Sequence, residues 1–315
     1  MDATSKTSFK DASFVMPVRN EEKYLASAVE SVFAQEAPGK TELILAIAPS
    51  FDRTRAIAEE LQSKFKSLKI VDNPTGDTAS GLNLAIAAAS YEVIVRVDAH
   101  SQLTEDYLKT ALEVLSETGA ANVGGRMQAI GLTPLQQAVA FGYNNRVGLG
   151  GGSFHVGGKA GAVETVYLGV FQKSWLQKVG GFDPKWVRGQ DWELNQRIRE
   201  AGGVVWFDPR LVVNYFPRSS LSALARQFYQ TGVWRGALTR QAPFQSSIRY
   251  WIPPLFVVAA LFGFPLWLYL LFIGLIAFNA LELPNGVKLR VLLVLPTMHF
   301  SWGIGFWVGL IRGAK

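Results

Sequence analysis

Two long stretches near the C-terminus contain no Asp, Glu, Lys or Arg, and they constrain the fold more than any other feature. Residues 252–281 are 30 consecutive residues without any of these four charged types, and residues 291–311 are 21. A helix needs about 20 predominantly apolar residues to cross the hydrocarbon core of a bilayer. The sequence therefore predicts a transmembrane region at 251–315 with two or three hydrophobic segments.

The path of the first stretch across the membrane has two interpretations. The stretch is long for one helix and short for two full crossings, and Pro265 lies near its middle. One reading is a tilted, kinked helix that crosses once, which returns Lys315 to the cytoplasmic side. The other is a re-entrant hairpin, which leaves Lys315 outside. Residues 1–13 have no apolar core of a signal peptide, so the first 250 residues are expected to be cytoplasmic.

The composition excludes several chemistries. The 315 residues include no cysteine, which excludes disulfides, thiolate metal sites and thiol catalysis. The three histidines are too far apart in the sequence to indicate a His-rich zinc site. The formal net charge is +6, but half of it belongs to residues 251–315, so the remainder is nearly balanced. Nucleic-acid binding is therefore not expected.

Residues 13–100 alternate short apolar runs with segments of helical spacing. This pattern predicts a parallel sheet covered by helices. The expected strands are 13–18, 42–48, 69–72 and 92–97, and the expected helices include 22–35 and 81–89. In such sheets ligands bind beyond the carboxyl ends of the strands. Those ends are 17–21, 48–52, 73–77 and 98–100.

After residue 120 the pattern becomes mixed. A strand is expected at 164–171 and a helix at 190–201. Seven glycines lie within 148–161, but Ser153 and Ala160 stand where a phosphate-binding P-loop needs Gly and Ser or Thr. A mobile active-site loop is the preferred interpretation, with a plain flexible connection as the alternative.

Residues 209–281 are basic and contain no Asp or Glu. Within this range, residues 219–242 have an amphipathic pattern with arginines and aromatic side chains. This favours a helix lying on an anionic leaflet. An ordinary basic helix that follows the positive-inside tendency is the alternative.

Two acids stand out as candidate site residues. Asp98 ends the fourth expected strand, with His100 two residues on, and a hard divalent cation prefers one or two carboxylates plus phosphate oxygens. A structural cap would explain such a short motif equally well. Asp191 begins the helix at 190, where a carboxylate is often only a cap.

Five motifs occur in one order and decide between these interpretations. They are P-V-R-N-E-E at 17–22, D-A-H at 98–100, G-G-F-D at 180–183, Q-D-W-E-L-N at 190–195 and Q-F-Y-Q-T-G-V-W-R at 227–235. The chain resembles the family 2 inverting glycosyltransferases, and within them the succinoglycan-type glucosyltransferases with C-terminal membrane helices. The resemblance covers roughly residues 12–250. It implies a GT-A fold, an α/β Rossmann-like domain with a mostly parallel sheet, followed by transmembrane helices.

The resemblance also implies roles for individual residues. Asp98, with His100, would hold Mg²⁺ or Mn²⁺ on the diphosphate of a nucleotide sugar, and Asp191 would be the general base. The diphosphate and acceptor would be contacted by Gln227, Trp234 and Arg235. The donor-binding residues would be Pro17, Arg19, Asn20, Glu21, Asp52, Asp77, Asn83 and Asp98. One departure concerns the base-contacting Asp that usually ends the second strand, because residues 47–50 here read I-A-P-S. UDP is therefore a default for the nucleotide.

Together these features predict an enzyme that moves a hexose from a nucleotide sugar to a polyprenyl-diphosphate-linked glycan. The alternatives are a polyprenyl-phosphate monosaccharide synthase and, from another class, a non-catalytic sugar-nucleotide sensor or scaffold. The expected regions are a cytoplasmic catalytic domain at 1–217, a basic interface helix region at 218–250 and the transmembrane region at 251–315. The expected location is the cell (inner or plasma) membrane, with several passes.

Overall fold

The computed structural model describes residues 8–241 and 248–313, which form two compact units. The first unit comprises residues 1–127 and 157–215, and the second comprises 128–156 and 216–315. The expected regional boundaries at 217 and 250 stay a prediction. Residues 242–247 and Lys315 lie outside the described residues.

The first unit is built on one large mixed sheet. Its strands are β1 (Ala12–Val18), β2 (Thr41–Ile47), β3 (Leu68–Asp72), β4 (Val93–Arg96), β5 (Ser101–Leu103), β6 (Asn122–Ala129), β7 (Gly161–Ala162), β8 (Tyr167–Gln172) and β9 (Val205–Tyr215). The sheet order is β3-β2-β1-β4-β8-β6-β9-β5, and β7 pairs with β9. The four strands expected in the first hundred residues are therefore present, with bounds that shift by at most one residue.

Only the first half of the sheet is parallel. β1 pairs in parallel with β2 and with β4, and β2 pairs in parallel with β3. Beyond β4 the pairing turns antiparallel, first with β8 and then between β8 and β6. The expectation of a mostly parallel sheet is thus right for residues 12–96 and gives way to a mixed sheet. The sheet is mixed because β8 lies between β4 and β6 and runs antiparallel to both.

Helices flank the strands of the first unit. They are α1 (Leu25–Phe33), α2 (Thr54–Lys64), α3 (Thr78–Ala88), α4 (Tyr107–Thr118), α8 (Lys173–Val179) and α9 (Gln190–Glu200). β1, β2 and β4 contribute fully buried residues such as Phe14, Leu43 and Val95, and α4 adds Leu108 and Leu115 to the same core. Burial of these apolar side chains is the main favourable free-energy contribution to folding of this unit.

The second unit is helical. Its helices are α5 (Pro134–Asn144), α6 (Arg146–Leu149), α7 (Ser153–Val156), α10 (Leu221–Gln241), α11 (Ile252–Leu261), α12 (Leu266–Asn279) and α13 (Asn285–Arg312). α6 ends within the glycine-rich stretch 148–161 and α7 lies inside it, where a loop was expected. Whether that segment moves stays a prediction.

Close packing of α10 against α13 organises this unit. Gly232 and Gly236 of α10 face the backbone of Trp302 and Phe306, and Gly305 and Gly309 of α13 face the backbone of Tyr229 and Val233. Each pair is spaced G-x-x-x-G, which lets two helix backbones approach closely. The contacts advance along both helices in the same direction, so α10 and α13 run parallel.

The apolar stretch 252–281 is divided into two short helices. α11 has 10 residues and α12 has 14, with the break at Phe262–Pro265. Trp251 contacts Phe306, Phe256 contacts Phe300, and Lys288 Nζ donates to the Phe278 carbonyl oxygen at 3.2 Å. Tyr269 of α12 also contacts both Phe256 and Phe300, so α12 begins beside α11. The two readings of the path of this stretch across a membrane stay predictions.

Within the described residues, one helix is long and apolar enough to cross a membrane, namely the 28-residue α13. The several transmembrane helices expected at 251–315 are thus reduced to one candidate by length and composition. α11 and α12 are shorter because the chain breaks at Gly263, whose φ is +91°, and at Pro265.

The packing of α10 on α13 predicts a sharp cost for adding one methyl group. A Cβ at position 309 would lie 1.8 Å from the Val233 carbonyl oxygen, whereas a Cβ at position 274 of α12 would have no heavy atom within 4 Å. Gly309→Ala should lower the free energy of unfolding by about 1–3 kcal/mol. Gly274→Ala should leave it unchanged or raise it by up to about 1 kcal/mol. Thermal unfolding in detergent measures both, and equal melting temperatures would contradict the packing.

Candidate active site

Loops after β1 and β2 are joined by hydrogen bonds at the carboxyl edge of the sheet. The Asn20 amide donates to Ser50 Oγ at 3.1 Å, and the Glu21 amide donates to Thr54 Oγ1 at 2.7 Å. The Glu22 amide donates to Asp52 Oδ2 at 3.2 Å. These bonds bring together two of the strand ends that the sequence predicted to meet. Thr54 Oγ1 donates to Asp52 Oδ1, and this hydrogen bond lowers the pKa of Asp52.

Asn20 occupies a backbone conformation that explains its residue type. Its φ is +54°, in the left-handed region where Asn is enriched among non-glycine residues. Its side-chain Oδ1 accepts from the Phe51 amide at 2.9 Å. Asn20 therefore turns the chain after β1 and ties the turn to the neighbouring loop. Pro17, also expected in the donor site, lies on β1 and is partly exposed.

The end of β3 joins the same edge. Arg19 Nη1 donates to the Gly76 carbonyl oxygen at 3.3 Å. Asp77 is the N-cap of α3 and accepts from the Ser80 amide at 2.7 Å. Burial would raise the pKa of Asp77, but hydrogen bonds from Thr75 and Ser80 outweigh it and lower the pKa. Asp77 is thus ionised at neutral pH and shapes the loop whether or not it touches a ligand.

A cavity of about 300 Å³ lies beyond β2 and β3. It is lined by Ile47, Ala48, Pro49, Ser50, Arg55, Asp72, Asn73 and Pro74. This is the place where the second strand lacks its expected acid. Asp72, at the end of β3, pairs there with Arg55 at 2.5 Å. The cavity therefore has a carboxylate from the adjacent strand instead.

Arg96 is a buried cation that pairs with both candidate site acids. It lies on β4 two residues before Asp98, and only 4% of its side chain is exposed. Its Nη2 donates to Asp98 Oδ1 at 3.2 Å, and its Nη1 donates to Asp191 Oδ1. One guanidinium therefore holds both candidate site carboxylates as neighbours. A buried cation requires such pairing, because desolvation without a partner costs several kcal/mol.

Asp191 is not the cap of its helix. The N-cap of α9 is Gly189, which makes no side-chain capping bond, and Asp191 lies in the first turn with its carboxylate on Arg96. The capping interpretation of Asp191 is therefore replaced by an ion pair. About a quarter of the Asp191 side chain remains exposed, so a ligand can reach it.

Two anchors fix the orientation of α9. Buried Asn195, one turn after Asp191, accepts from Asn122 Nδ2 at 2.7 Å and donates to Thr165 Oγ1 at 2.9 Å. Arg197 binds Glu193 Oε2 at 2.7 Å and donates to the Gly181 carbonyl oxygen at 2.8 Å. Glu193 is thus engaged in a structural ion pair, which separates its role from that of Asp191.

His100 lies beside Glu21. The His100 Nδ1 and Glu21 Oε1 atoms are 3.0 Å apart, and the imidazole packs edge-on against Tyr215 with ring centroids 5.6 Å apart. The described residues contain no group of three or more His, Cys, Asp or Glu side chains that could hold a metal ion by themselves. A donor set of Asp98 with His100 nearby suits a Mg²⁺ or Mn²⁺ ion whose remaining ligands are phosphate oxygens and water.

Tyr167, the first residue of β8, is partly buried, and its hydroxyl points into the interior near Asp98. Its hydroxyl is fully buried and has no hydrogen-bond partner among the described residues. Burial, followed by the negative charge of Asp98, raises the pKa of Tyr167 well above its usual value. Tyr167 is therefore neutral at physiological pH and presents a hydroxyl close to the carboxylates.

Some expected site residues lie elsewhere. Both polar atoms of the Asn83 side chain bind the backbone of Phe182, at 2.7 and 2.9 Å, so Asn83 supports the G-G-F-D turn. Gln227, Trp234 and Arg235 lie on α10 in the second unit, where Arg235 stacks over the Tyr250 ring at 4.1 Å. The roles of Asn83 in donor binding and of the α10 residues in diphosphate or acceptor binding stay predictions.

Sequence reasoning missed Arg96, Tyr167 and Asp72. Arg96 had a readable signal: it is an Arg within an apolar strand and shares a strand face with Asp98, because side chains alternate along a strand. Tyr167 and Asp72 had no such signal, because their proximity to the site depends on which strands pair.

The fold and this cluster define a glycosyltransferase of the GT-A type. The profile of Glycosyl transferase family 2 matches residues 13–177, more than half of the chain, and the chain belongs to that family. The succinoglycan biosynthesis protein ExoA of Rhizobium meliloti is 27% identical over 311 residues, covering 94% of both chains. A Methanococcus voltae enzyme is 27% identical over 318 residues, covering 96% of this chain and 97% of its own. It is the dolichyl N-acetyl-alpha-D-glucosaminyl phosphate 3-beta-D-2,3-diacetamido-2,3-dideoxy-beta-D-glucuronosyltransferase.

Solved structures share the fold at low identity. The mannosyltransferase PcManGT from Pyrobaculum calidifontis, in complex with GDP-Man and Mn²⁺, has a TM-score of 0.63 at 17% identity, covering 96% of this chain and 88% of its own. TarS from S. aureus, in complex with UDP, has a TM-score of 0.53 at 15% identity, covering 94% and 90%.

The ion pairs of Arg96 with Asp98 and Asp191 predict that a variant without Arg96 is less stable and that a divalent cation partly restores its stability. Arg96→Met leaves two adjacent carboxylates without their shared cation and should lower the free energy of unfolding by about 1–3 kcal/mol. Because a divalent cation can replace the lost charge, millimolar Mg²⁺ should raise the melting temperature of Arg96→Met more than that of the unmodified protein. Arg210→Met is the matched control, because Arg210 pairs with the single carboxylate of Asp208 at 2.8 Å. An equal Mg²⁺ response in both variants would contradict the ion pairs of Arg96.

Proposed function

We propose that this glycosyltransferase moves a hexose from a nucleotide sugar to a lipid-linked glycan during polysaccharide synthesis, with inversion at the anomeric carbon. The observation that carries the proposal is the pairing of Asp98 and Asp191 through Arg96 at the carboxyl edge of the sheet. The printed names of two relatives, one in succinoglycan biosynthesis and one acting on a dolichyl-phosphate-linked sugar, support the acceptor class.

The donor would occupy the strand-end loops of the first unit. The nucleobase would enter the cavity beyond β2 and β3, where Asp72 and Arg55 present an acceptor and a donor side by side. An acidic acceptor beside a cationic donor suits the imide edge of uracil, with guanine as the second candidate. The diphosphate would extend toward Asp98, with Arg19 and Asn20 in the intervening loop.

Asp98 would hold a Mg²⁺ or Mn²⁺ ion, with His100 beside it. When bound, the ion neutralises the charge that develops on the leaving diphosphate. Arg96 remains next to Asp98 as a fixed positive charge and keeps the carboxylate oriented. Tyr167 contributes a buried, neutral hydroxyl near Asp98.

Asp191 would remove the proton from the acceptor hydroxyl. The hydroxyl oxygen forms a bond to the anomeric carbon while the bond from that carbon to the phosphate oxygen breaks. The electron pair of the broken bond leaves with the nucleoside diphosphate, and the proton passes to the Asp191 carboxylate. Attack from the face opposite the leaving group, through an oxocarbenium-like state, inverts the configuration.

The second unit would bind the membrane and the lipid part of the acceptor. Its helices α11 and α12 expose large apolar side chains that include Leu255, Leu261, Trp267, Leu271 and Phe278. Contiguous apolar surface of this kind marks a membrane or protein interaction site. Gln227, Trp234 and Arg235 on α10 would then contact the diphosphate or the acceptor.

The general-base assignment predicts a selective loss of turnover. Asp191→Asn keeps the size of the side chain and removes its basicity, so the transfer rate should fall by about 10²-fold or more. Donor affinity should change little, because the loops beyond β1, β2 and β3 are unchanged.

Glu193→Gln is the matched control in the same helical turn. Because Glu193 is bonded to Arg197, its loss should lower the melting temperature and change the rate by less than about tenfold. Transfer rate, nucleotide-sugar affinity and melting temperature should be measured for both variants. Near-normal turnover by a folded Asp191→Asn enzyme would refute the assignment.

Metal dependence is the second expectation. Asp98 offers one carboxylate, and the remaining ligands of a bound ion would come largely from the diphosphate, so UDP and Mn²⁺ should bind cooperatively. Calorimetry should show UDP binding that is stronger with Mn²⁺ than with EDTA, and Asp98→Asn should abolish the difference. Equal affinity with and without Mn²⁺ would remove the metal from the proposal.

The acceptor itself can be identified by product analysis. Transfer to a lipid-linked sugar lengthens the glycan and leaves the phosphate chemistry of the lipid unchanged. Transfer to polyprenyl phosphate would instead convert a phosphate monoester into a diester. Mass and charge of the extracted product distinguish the two reactions.

A further inference from the structure

The packing of α13 does not suit a helix that crosses a bilayer. α10 lies parallel to its C-terminal half, with Gly232 against Trp302 and Gly236 against Phe306, and Arg240 Nη1 donates to the Ile311 carbonyl oxygen at 2.8 Å. α10 carries exposed Arg226 and Arg240 and several amide and hydroxyl side chains. A helix of this composition is costly to place in hydrocarbon, so the adjoining part of α13 belongs to the membrane surface.

The other half of α13 is too short to cross alone. α5 and α6 contact it at Leu295, Met298 and His299, the last through His299 Nε2 and the Val147 carbonyl oxygen at 2.7 Å. Only Asn285–Val294 extends beyond these contacts, and ten helical residues span about 15 Å. The hydrocarbon core is about 30 Å thick, and this end of the helix also carries charged residues.

The exposed apolar side chains of α13 form one stripe. They are Leu289, Leu293, Ile304 and Ile311. At about 100° per residue these positions fall within an arc of about 60° over the whole helix length. The opposite face is buried by the other helices of the unit, with Val291, Val294 and Met298 fully covered. A narrow stripe over the full length is typical of a helix that lies in the plane of a membrane.

α11 and α12 have the same limitation. Their 10 and 14 residues correspond to about 15 and 21 Å, each shorter than the hydrocarbon core. The turn that follows α12 carries Asn279, Glu282 and Asn285, so it must reach water. The two lengths do not add, because Tyr269 near the start of α12 packs on Phe256 in the middle of α11, with ring centroids 4.7 Å apart. The turn after α12 therefore returns to the near side of the bilayer.

We propose that the second unit is a monotopic platform, in which α11, α12 and α13 lie within one leaflet and none of them crosses the membrane. The occupant of its exposed apolar face is a leaflet with anionic headgroups. Residues 128–156 and 216–315 contain ten Lys or Arg and a single acid, Glu282, which complements such a surface. This inference deepens the proposed membrane association and rests on it.

Single-cysteine labelling tests the topology directly, because the chain has no native cysteine. Glu282→Cys and Arg312→Cys place thiols at the two ends of α13, and Ser63→Cys at an exposed position of α2 is the reference. A membrane-impermeant maleimide is added to sealed inside-out vesicles. All three thiols should react without detergent. A thiol at 282 or 312 that reacts only after permeabilisation overturns the proposal.

Flotation assays test the headgroup requirement and separate this inference from the proposed function. Purified full-length protein should float with vesicles containing phosphatidylglycerol at least about tenfold more than with pure phosphatidylcholine at low salt. Equal flotation with both would overturn the anionic part. Failure to float with either would overturn membrane association itself. Transfer activity in the same vesicles verifies that each cysteine variant is folded, and a crossing topology in an active variant refutes the platform while the enzyme assignment stands.

Discussion

A cation at the centre of a sheet has to be neutralised, and the way this chain neutralises Arg96 shapes the rest of the first unit. One partner, Asp98, comes from the same strand, and the other, Asp191, comes from a helix 95 residues further on. The guanidinium therefore requires α9 to dock where its first turn faces the end of β4. Asn195 and Arg197 supply that docking through hydrogen bonds to β6 and to the turn before α9.

The mixed sheet supplies residues to this site from strands of both directions. β1, β2 and β3 contribute loops to one edge because they are parallel to each other and to β4. β8 then pairs antiparallel with β4 and brings Tyr167 next to the carboxylates from the opposite direction. A wholly parallel sheet would have placed the start of β8 at the far edge. Residues from parallel and antiparallel strands thus meet around the buried guanidinium of Arg96.

Helix packing in the second unit depends on glycines, which have no side chain to separate the helices. Four glycines allow α10 and α13 to touch backbone to backbone, so an arginine-containing helix lies directly on an apolar one. This contact decides what the apolar helix can do in a membrane, since its neighbour limits how deep it can sit. The break at Gly263 and Pro265 has a similar effect on the preceding stretch, because neither resulting helix spans the hydrocarbon.

The sequence by itself determined the class of the protein and the parallel half of the fold. Apolar runs of four to seven residues identify β1, β2 and β4, because buried parallel strands are apolar on both faces, whereas β3 is short and partly exposed. The ordered motifs identify the family and place Asp98 and Asp191 in it. The tertiary structure alone decided that Arg96 joins these acids, that Asp72 lines the cavity beyond the second strand, and that α10 packs on α13. These depend on contacts between residues far apart in the chain, and neither periodicity nor hydropathy contains information about which distant elements pack together.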